Sequence, residues 1–172
     1  MRVDLLIHPV RLRIIQALGQ EHLTTQELAE RLPDVPVSSL YRHLQLLRKG
    51  EVLHIVERRL VNGIVEKVYA ITGRTFLSQE DMAQLTPGEH LKYFATYVLT
   101  LIQGFARYVE TAAGEEGTLD MAADYAGYNE IVFFANKDEL HALQRAINEA
   151  FLPLVNNKAS AGRRRCASGA RS

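Results

Sequence analysis

Apolar and polar positions alternate with a helical period over three stretches of the first fifty residues. Val10, Ile14, Ala17 and Leu18 recur at helical spacing behind Pro9, a residue favoured at the first position of a helix, and Gly19 ends the run. Thr24 or Thr25 is placed to cap a second helix, with Glu27 or Glu30 in its early turns and Leu28, Ala29 and Leu32 directed inward. Residues 33–36, Pro-Asp-Val-Pro, cannot continue it, because two prolines lack the backbone donor and each pushes its predecessor toward extended geometry. The third helix, over residues 37–50, has two faces. At ~100° per residue Leu40, Leu44 and Leu47 form an apolar stripe, while Ser38, Arg42, Gln45 and Lys49 gather opposite it.

Beyond Gly50 the period becomes extended. Residues 52–61 and 64–71 are rich in β-branched side chains and flank Asn62-Gly63, a strong hairpin signal. A two-residue turn there sets Val61 opposite Ile64 and Arg59 opposite Glu66, an opposite-charge pair, with Arg58 and Arg59 near the tip. Taken alone, the polar face of residues 37–50 reads first as a solvated surface. The proline-flanked break before it and the hairpin after it turn that reading toward a winged helix-turn-helix, a mainly α fold with a small β-hairpin wing (α+β), over residues 1–74. In that fold Ser38, Ser39, Arg42 and Gln45 face the major groove of double-stranded DNA, with Tyr41 at its edge. Arg58, Arg59 and Asn62 support the wing beside backbone phosphate, and Thr25 donates to phosphate at the start of the preceding helix.

Leu-Tyr-Arg-His-Leu at 40–44, followed by Leu47, Gly50 and Val52, resembles the recognition helix of ArsR-type winged-helix transcriptional regulators. Residues 61–69 are similar to the wing of one branch of that family, and residues 8–15 to its opening helix, so the resemblance spans roughly 5–72. It implies a DNA-binding transcriptional regulator. Glu51 departs from the pattern, standing where an apolar residue usually follows the glycine. The thiolate motif of metal-sensing members is absent from residues 24–32, and His90 and His141 do not recur at the spacing of the other metal site, so no metal and no cofactor is carried over.

Residues 73–85 read as a polar connector with a short helical turn. Thr86, Pro87 and Glu89 then form a helix start, cap, first position and capping-box carboxylate, for a helix to about Thr111. Leu91, Phe94, Ala95, Val98, Leu101, Ile102, Phe105 and Val109 give it an apolar face too wide for one small domain. Leu91, Phe94, Val98, Leu101, Ile102 and Phe105 are the expected dimer contacts, since two-fold homodimers are the commonest oligomers. After a loop at 114–117, residues 130–135 are a candidate short strand. Asn136 and Glu139 repeat the capping pattern and open a last helix to about Val155, with Leu140, Leu143, Ile147, Phe151 and Leu154 inward. Tyr125, Tyr128, Phe133 and Phe134 read as core before pocket. An unidentified small-molecule effector is the candidate ligand of residues 112–155. The organisation expected is 1–74 DNA-binding, 75–157 helical dimerisation and effector region, and 158–172 a disordered basic tail.

Charge sharpens this division. Residues 1–74 carry 11 Lys and Arg against 8 Asp and Glu, residues 75–157 carry 4 against 12, and the tail carries 5 against none. The acidic middle repels nucleic acid, so DNA contact belongs to the first segment or the tail. No apolar run reaches the ~18–20 residues of a membrane span, the N-terminus is charged too early for a signal peptide, and the single Cys166 permits no internal disulfide. A cytoplasmic location is expected. Phosphate-binding glycine loops and zinc or hydrolase signatures are missing, so no enzyme is expected. His43, on the flank of its helix, reads as structural, His8 and His22 as solvated, and His54 alternates on a strand. The expected function is a sequence-specific regulator, a repressor that blocks polymerase. A winged-helix module for protein interaction is the alternative.

Overall fold

The computed structural model describes residues 2–157 apart from Gln20, Asn62, Arg74, Phe76, residues 114–116, Tyr125, Asn129 and Asn156. The expectations attached to Asn62, Tyr125, residues 114–116 and the tail from Lys158 lie outside the described residues. Two compact units divide the chain, Met1–Ala106 and Arg107–Ser172.

The first unit begins with a short helix that the sequence pattern did not suggest, α1 (Arg2–Leu6), followed by α2 (Pro9–Leu18). Pro9 sits at the expected first position of α2, and Gly19 ends it with φ of 50°. The cap itself is His8, whose Nδ1 accepts the Val10 amide at 3.2 Å. His8 is therefore a structural residue rather than a solvated one. Leu23–Thr24 form a two-residue strand, β1, and Thr24 is the cap of α3 (Thr25–Arg31). Its capping box is complete: Glu27 N donates to Thr24 Oγ1 at 3.1 Å, and Thr24 N donates to Glu27 Oε2 at 2.6 Å. After the proline-flanked break comes α4 (Val37–Lys49), with Arg48 and Lys49 in its last turn, where cations complement the helix dipole.

Leu40, Leu44 and Leu47 are fully buried in one cluster with Leu6, Ile14, Leu18 and Leu28. Each such side chain contributes about 1.5–3 kcal/mol relative to leaving it in water, which fixes the rotation of α4 about its axis. Arg13 adds a polar tie, donating from both terminal nitrogens to the Asp34 carboxylate at 2.6 and 2.5 Å. It joins α2 to the turn that launches α4.

The hairpin follows the expected register. β2 (Leu53–Val61) and β3 (Ile64–Ile71) are antiparallel, with Val61 opposite Ile64 and Arg59 opposite Glu66. A bulge between Ile55 and Glu57 shifts the lower part of the ladder. β1 pairs with the other edge of β3, Leu23 against Tyr69, so the sheet has three strands in the order β1-β3-β2 rather than a hairpin alone. A two-residue strand carries too few alternations to be read from a sequence. The expected opposite-charge pair across the strands is not made, because Arg59 turns to Glu27 of α3 at 3.4 Å and to Glu57 at 3.6 Å.

The connector contains α5 (Gln79–Ala83), capped by Ser78 with Asp81, and leads to α6 (Pro87–Ala112). Thr86 and Glu89 make the expected reciprocal capping bonds. Val3, Leu85 and Tyr93 form a second small core, and the Tyr93 hydroxyl donates to Asp4. That bond pushes the phenol up to about 12 and lowers the Asp4 carboxyl. The start of α6 is thereby packed on α1 within the first unit, past the boundary expected at residue 74. Along α6, Leu91, Phe94 and Ile102 are 70%, 64% and 57% exposed, whereas Val98, Leu101 and Phe105 are half-buried.

In the second unit Tyr108 is buried and donates to Asp124 at 3.1 Å. Residues 130–135 form no strand. They are irregular and exposed, with Ile131, Val132, Phe133 and Phe134 uncovered, and no strand among the described residues pairs with them. Phe133, Phe134 and Tyr128 are accordingly not core. The last helix, α7 (Lys137–Val155), starts at the expected cap, Asn136 Oδ1 accepting from Glu139 N at 3.0 Å. Its apolar positions Leu140, Leu143, Ile147, Phe151 and Leu154 are all exposed. No helix among the described residues is long and apolar enough to cross a membrane.

Candidate nucleic-acid interface

Burial of the leucine stripe turns the other face of α4 outward. Ser38, Tyr41, Arg42 and Gln45 are exposed and Ser39 is half-buried. They run from the first turn to the third of one helix, a ridge of hydroxyl, guanidinium and amide groups with no acidic residue on α4 itself. Such groups bond phosphate oxygens and the edges of bases.

His43, beside this ridge, points inward. It is 2% exposed, and its ring lies 4.8 Å from that of His8. Burial, with His8, Arg11 and Arg42 nearby, brings its pKa down to about 4, and His8 is lowered as well, first by burial and then by Arg11. A neutral pair therefore seats α4 on the start of α2.

Thr25 departs from its expected role. It is only 5% exposed and lies close enough to Tyr69 to act on its phenol. Its place beside the sheet follows from β1, the strand missed in the sequence. At the wing Arg58 is exposed as expected, but Arg59 is half-buried between Glu27 and Glu57. The Glu27 carboxyl is held below its usual range first by the Thr24 backbone bond and further by Arg59. Among the described residues near the hairpin turn, Leu60, Ile64 and Val65 are more than 60% exposed.

Between α4 and β3 runs an open cleft of about 390 Å³, lined by Tyr41, Arg42, Gln45, Arg48, Lys67 and Tyr69. Arg48, Lys67 and Tyr69 were not among the expected site residues. Signals for two of them were present: Arg48 lies three residues after Gln45 on the same helical face, and the register set by the Asn-Gly turn places Lys67 opposite Arg58.

Three helices closed by a three-stranded antiparallel sheet, with one helix anchored by leucines and polar outside, constitute an α+β winged helix-turn-helix. Residues 6–56 match a protein-family model described as a helix-turn-helix domain, a span that covers α2, α3 and α4 and ends within β2. No curated protein matches the chain. The chain thus carries a helix-turn-helix domain, the kind of module found in DNA-binding regulators, at its N-terminal end.

Proposed function

We propose that the chain is a sequence-specific, double-stranded-DNA-binding transcriptional regulator of the ArsR-type branch that does not sense metals, acting in the cytoplasm as a homodimer and repressing by blocking polymerase. The observation that carries this reading is the outward ridge of α4, Ser38, Tyr41, Arg42 and Gln45, held in place by three fully buried leucines. Arg42 and Gln45 read bases, Ser38 and Ser39 position the helix start, and Arg58 approaches the backbone from the wing. A homodimer is supported by the uncovered Leu91, Phe94 and Ile102 on α6, and it supplies the two half-site contacts a palindromic operator needs. The same reading assigns a small-molecule effector to residues 112–155.

The test is a gel shift with the DNA upstream of the chain's own gene at two salt concentrations. A shift that weakens with salt is expected, and Arg42→Ala should lower affinity and also relax base preference. One observation favours a second reading. The exposed Leu60, Ile64 and Val65 suit a protein surface better than a phosphate, so absence of any salt-sensitive shift, even with bulk duplex DNA, would assign the winged unit to protein interaction.

A further inference from the structure

Cations of the winged unit fall into two groups. Arg13, Arg31 and Arg59 each meet a carboxylate, that of Asp34, Glu21 and Glu27 respectively, and Arg11 donates to the carbonyls of Leu5 and Asp4. Arg42, Arg48, Lys49, Arg58 and Lys67 are exposed, and among the described residues none of the five meets a carboxylate. Three of them, Arg42, Arg48 and Lys67, converge on the cleft between α4 and β3, whose lining contains no acid. Lys67 is also the register partner of Arg58. Like charges directly opposite on paired strands cost stability, and an anion between them reverses the sign of that cost. Tyr69, almost fully buried, lines the cleft between them, so the cations are mounted on a helix at one wall and a paired strand at the other.

We infer that Arg48 and Lys67 close this cleft on a single backbone phosphate of duplex DNA, tying the recognition helix to the wing at the point where the strand passes between them. The inference rests on the DNA-binding reading above. Arg48 offers a planar fork suited to two phosphate oxygens, and Lys67 a point charge from the opposite wall. Neither reads a base, so the pair contributes affinity and sets the span from helix to wing without sequence preference.

The test is fluorescence anisotropy of the full chain with a labelled mixed-sequence duplex at several salt concentrations, comparing wild type, Arg48→Gln, Lys67→Gln and the double variant. Each single change should weaken binding by roughly three- to tenfold and flatten the slope of log affinity against log salt by about 0.9. The double variant should lose that one increment of slope and not two, because both groups neutralise one phosphate. Two increments would overturn the shared clamp. Wild-type binding with unchanged affinity and slope in the variants would overturn the inference and leave the DNA-binding reading standing, whereas failure of the wild type to bind at any salt concentration would remove both. The melting temperature of free Lys67→Gln should hold or rise, since Arg58 loses a like-charged neighbour, and a clear drop would mark Lys67 as structural and overturn the clamp. A thermal-shift series with inorganic phosphate against chloride at equal ionic strength distinguishes the source of the phosphate. Stabilisation of the wild type that Lys67→Gln abolishes, with duplex binding untouched, would give the cleft to a free phosphate and overturn the backbone role.

Discussion

The rings of His8 and His43 are tilted 46° to each other at the junction of α2 and α4, and Arg11 and Arg42 are the cations that act on both. His43 Nδ1 is buried without a hydrogen-bond partner. A proton on this ring is therefore opposed by burial and by every charge that faces it.

Above about 6.5 the ring is neutral folded and unfolded, so it adds no slope. Between about 6.5 and the folded value of about 4, the unfolded chain takes up a proton that the folded chain refuses, and stability falls as pH falls. Acidifying from pH 7 to pH 5 should cost on the order of 1–2 kcal/mol from this group. Urea midpoints across that range should show the decline, and His43→Leu should flatten it. An equally steep decline in the variant would place the dependence elsewhere.

At the end of α4, a β-carbon on Gly50 would collide with Leu5 Cδ2, a side chain packed against the main core. Gly50→Ala should destabilise by about 1–3 kcal/mol, as overpacking does, by displacing α1. The next residue, Glu51, carries a positive φ of 57°, and its carbonyl accepts from Thr72 Oγ1 at 2.6 Å. Glu51→Gly relieves a left-handed backbone but loosens the unfolded chain, and the two effects should leave stability within about 1 kcal/mol of wild type. Thermal melts of the two variants check the contrast; equal losses would contradict it.

Arg13 and Asp34 form a two-pronged ion pair in which the guanidinium is buried and the carboxylate is largely exposed. Asp34→Ala strands the buried charge and should cost about 1–3 kcal/mol, with the solvated carboxylate keeping the loss below that of a fully buried pair. Arg13→Met should cost less, since it removes the charge and keeps the apolar stem. Denaturant midpoints rank the two. The opposite order would mean that the pair does not hold the turn before α4.

On α6, Ile102→Glu or Phe94→Glu should convert a homodimer to monomer by sedimentation velocity, because an uncovered apolar side chain becomes an unpaired charge at the interface. Neither change touches the leucines that anchor α4, so far-ultraviolet circular dichroism should be retained. A wild-type chain that sediments as a monomer at all concentrations would end the dimer reading.

Local chemistry explains which parts could be read ahead. The caps at Thr24, Thr86 and Asn136, the break at 33–36 and the hairpin register all depend on neighbours within a few residues, so the chain order contains them. The parts that escaped depend on distant partners. β1 exists because β3 offers an edge, Thr25 is withdrawn because it follows directly on that paired strand, and Arg59 leaves its cross-strand neighbour because α3 brings Glu27 within reach. Residues 130–135 show the converse, a strand-like composition with no edge to join.

Glu27 holds two things with one carboxylate: Oε2 accepts the Thr24 amide in the cap of α3, and Oε1 meets Arg59 of the wing. The second contact is half exposed, of a kind worth about 0–1 kcal/mol and screened by dissolved ions. The contact of the wing with α3 is thereby ion-dependent. In a duplex complex of the kind proposed, salt should act twice, displacing the chain from phosphate and slackening the contact between wing and α3. Arg59→Gln removes the second effect in advance, so the difference between its salt slope and that of the wild type measures how far the solvent sets the grip.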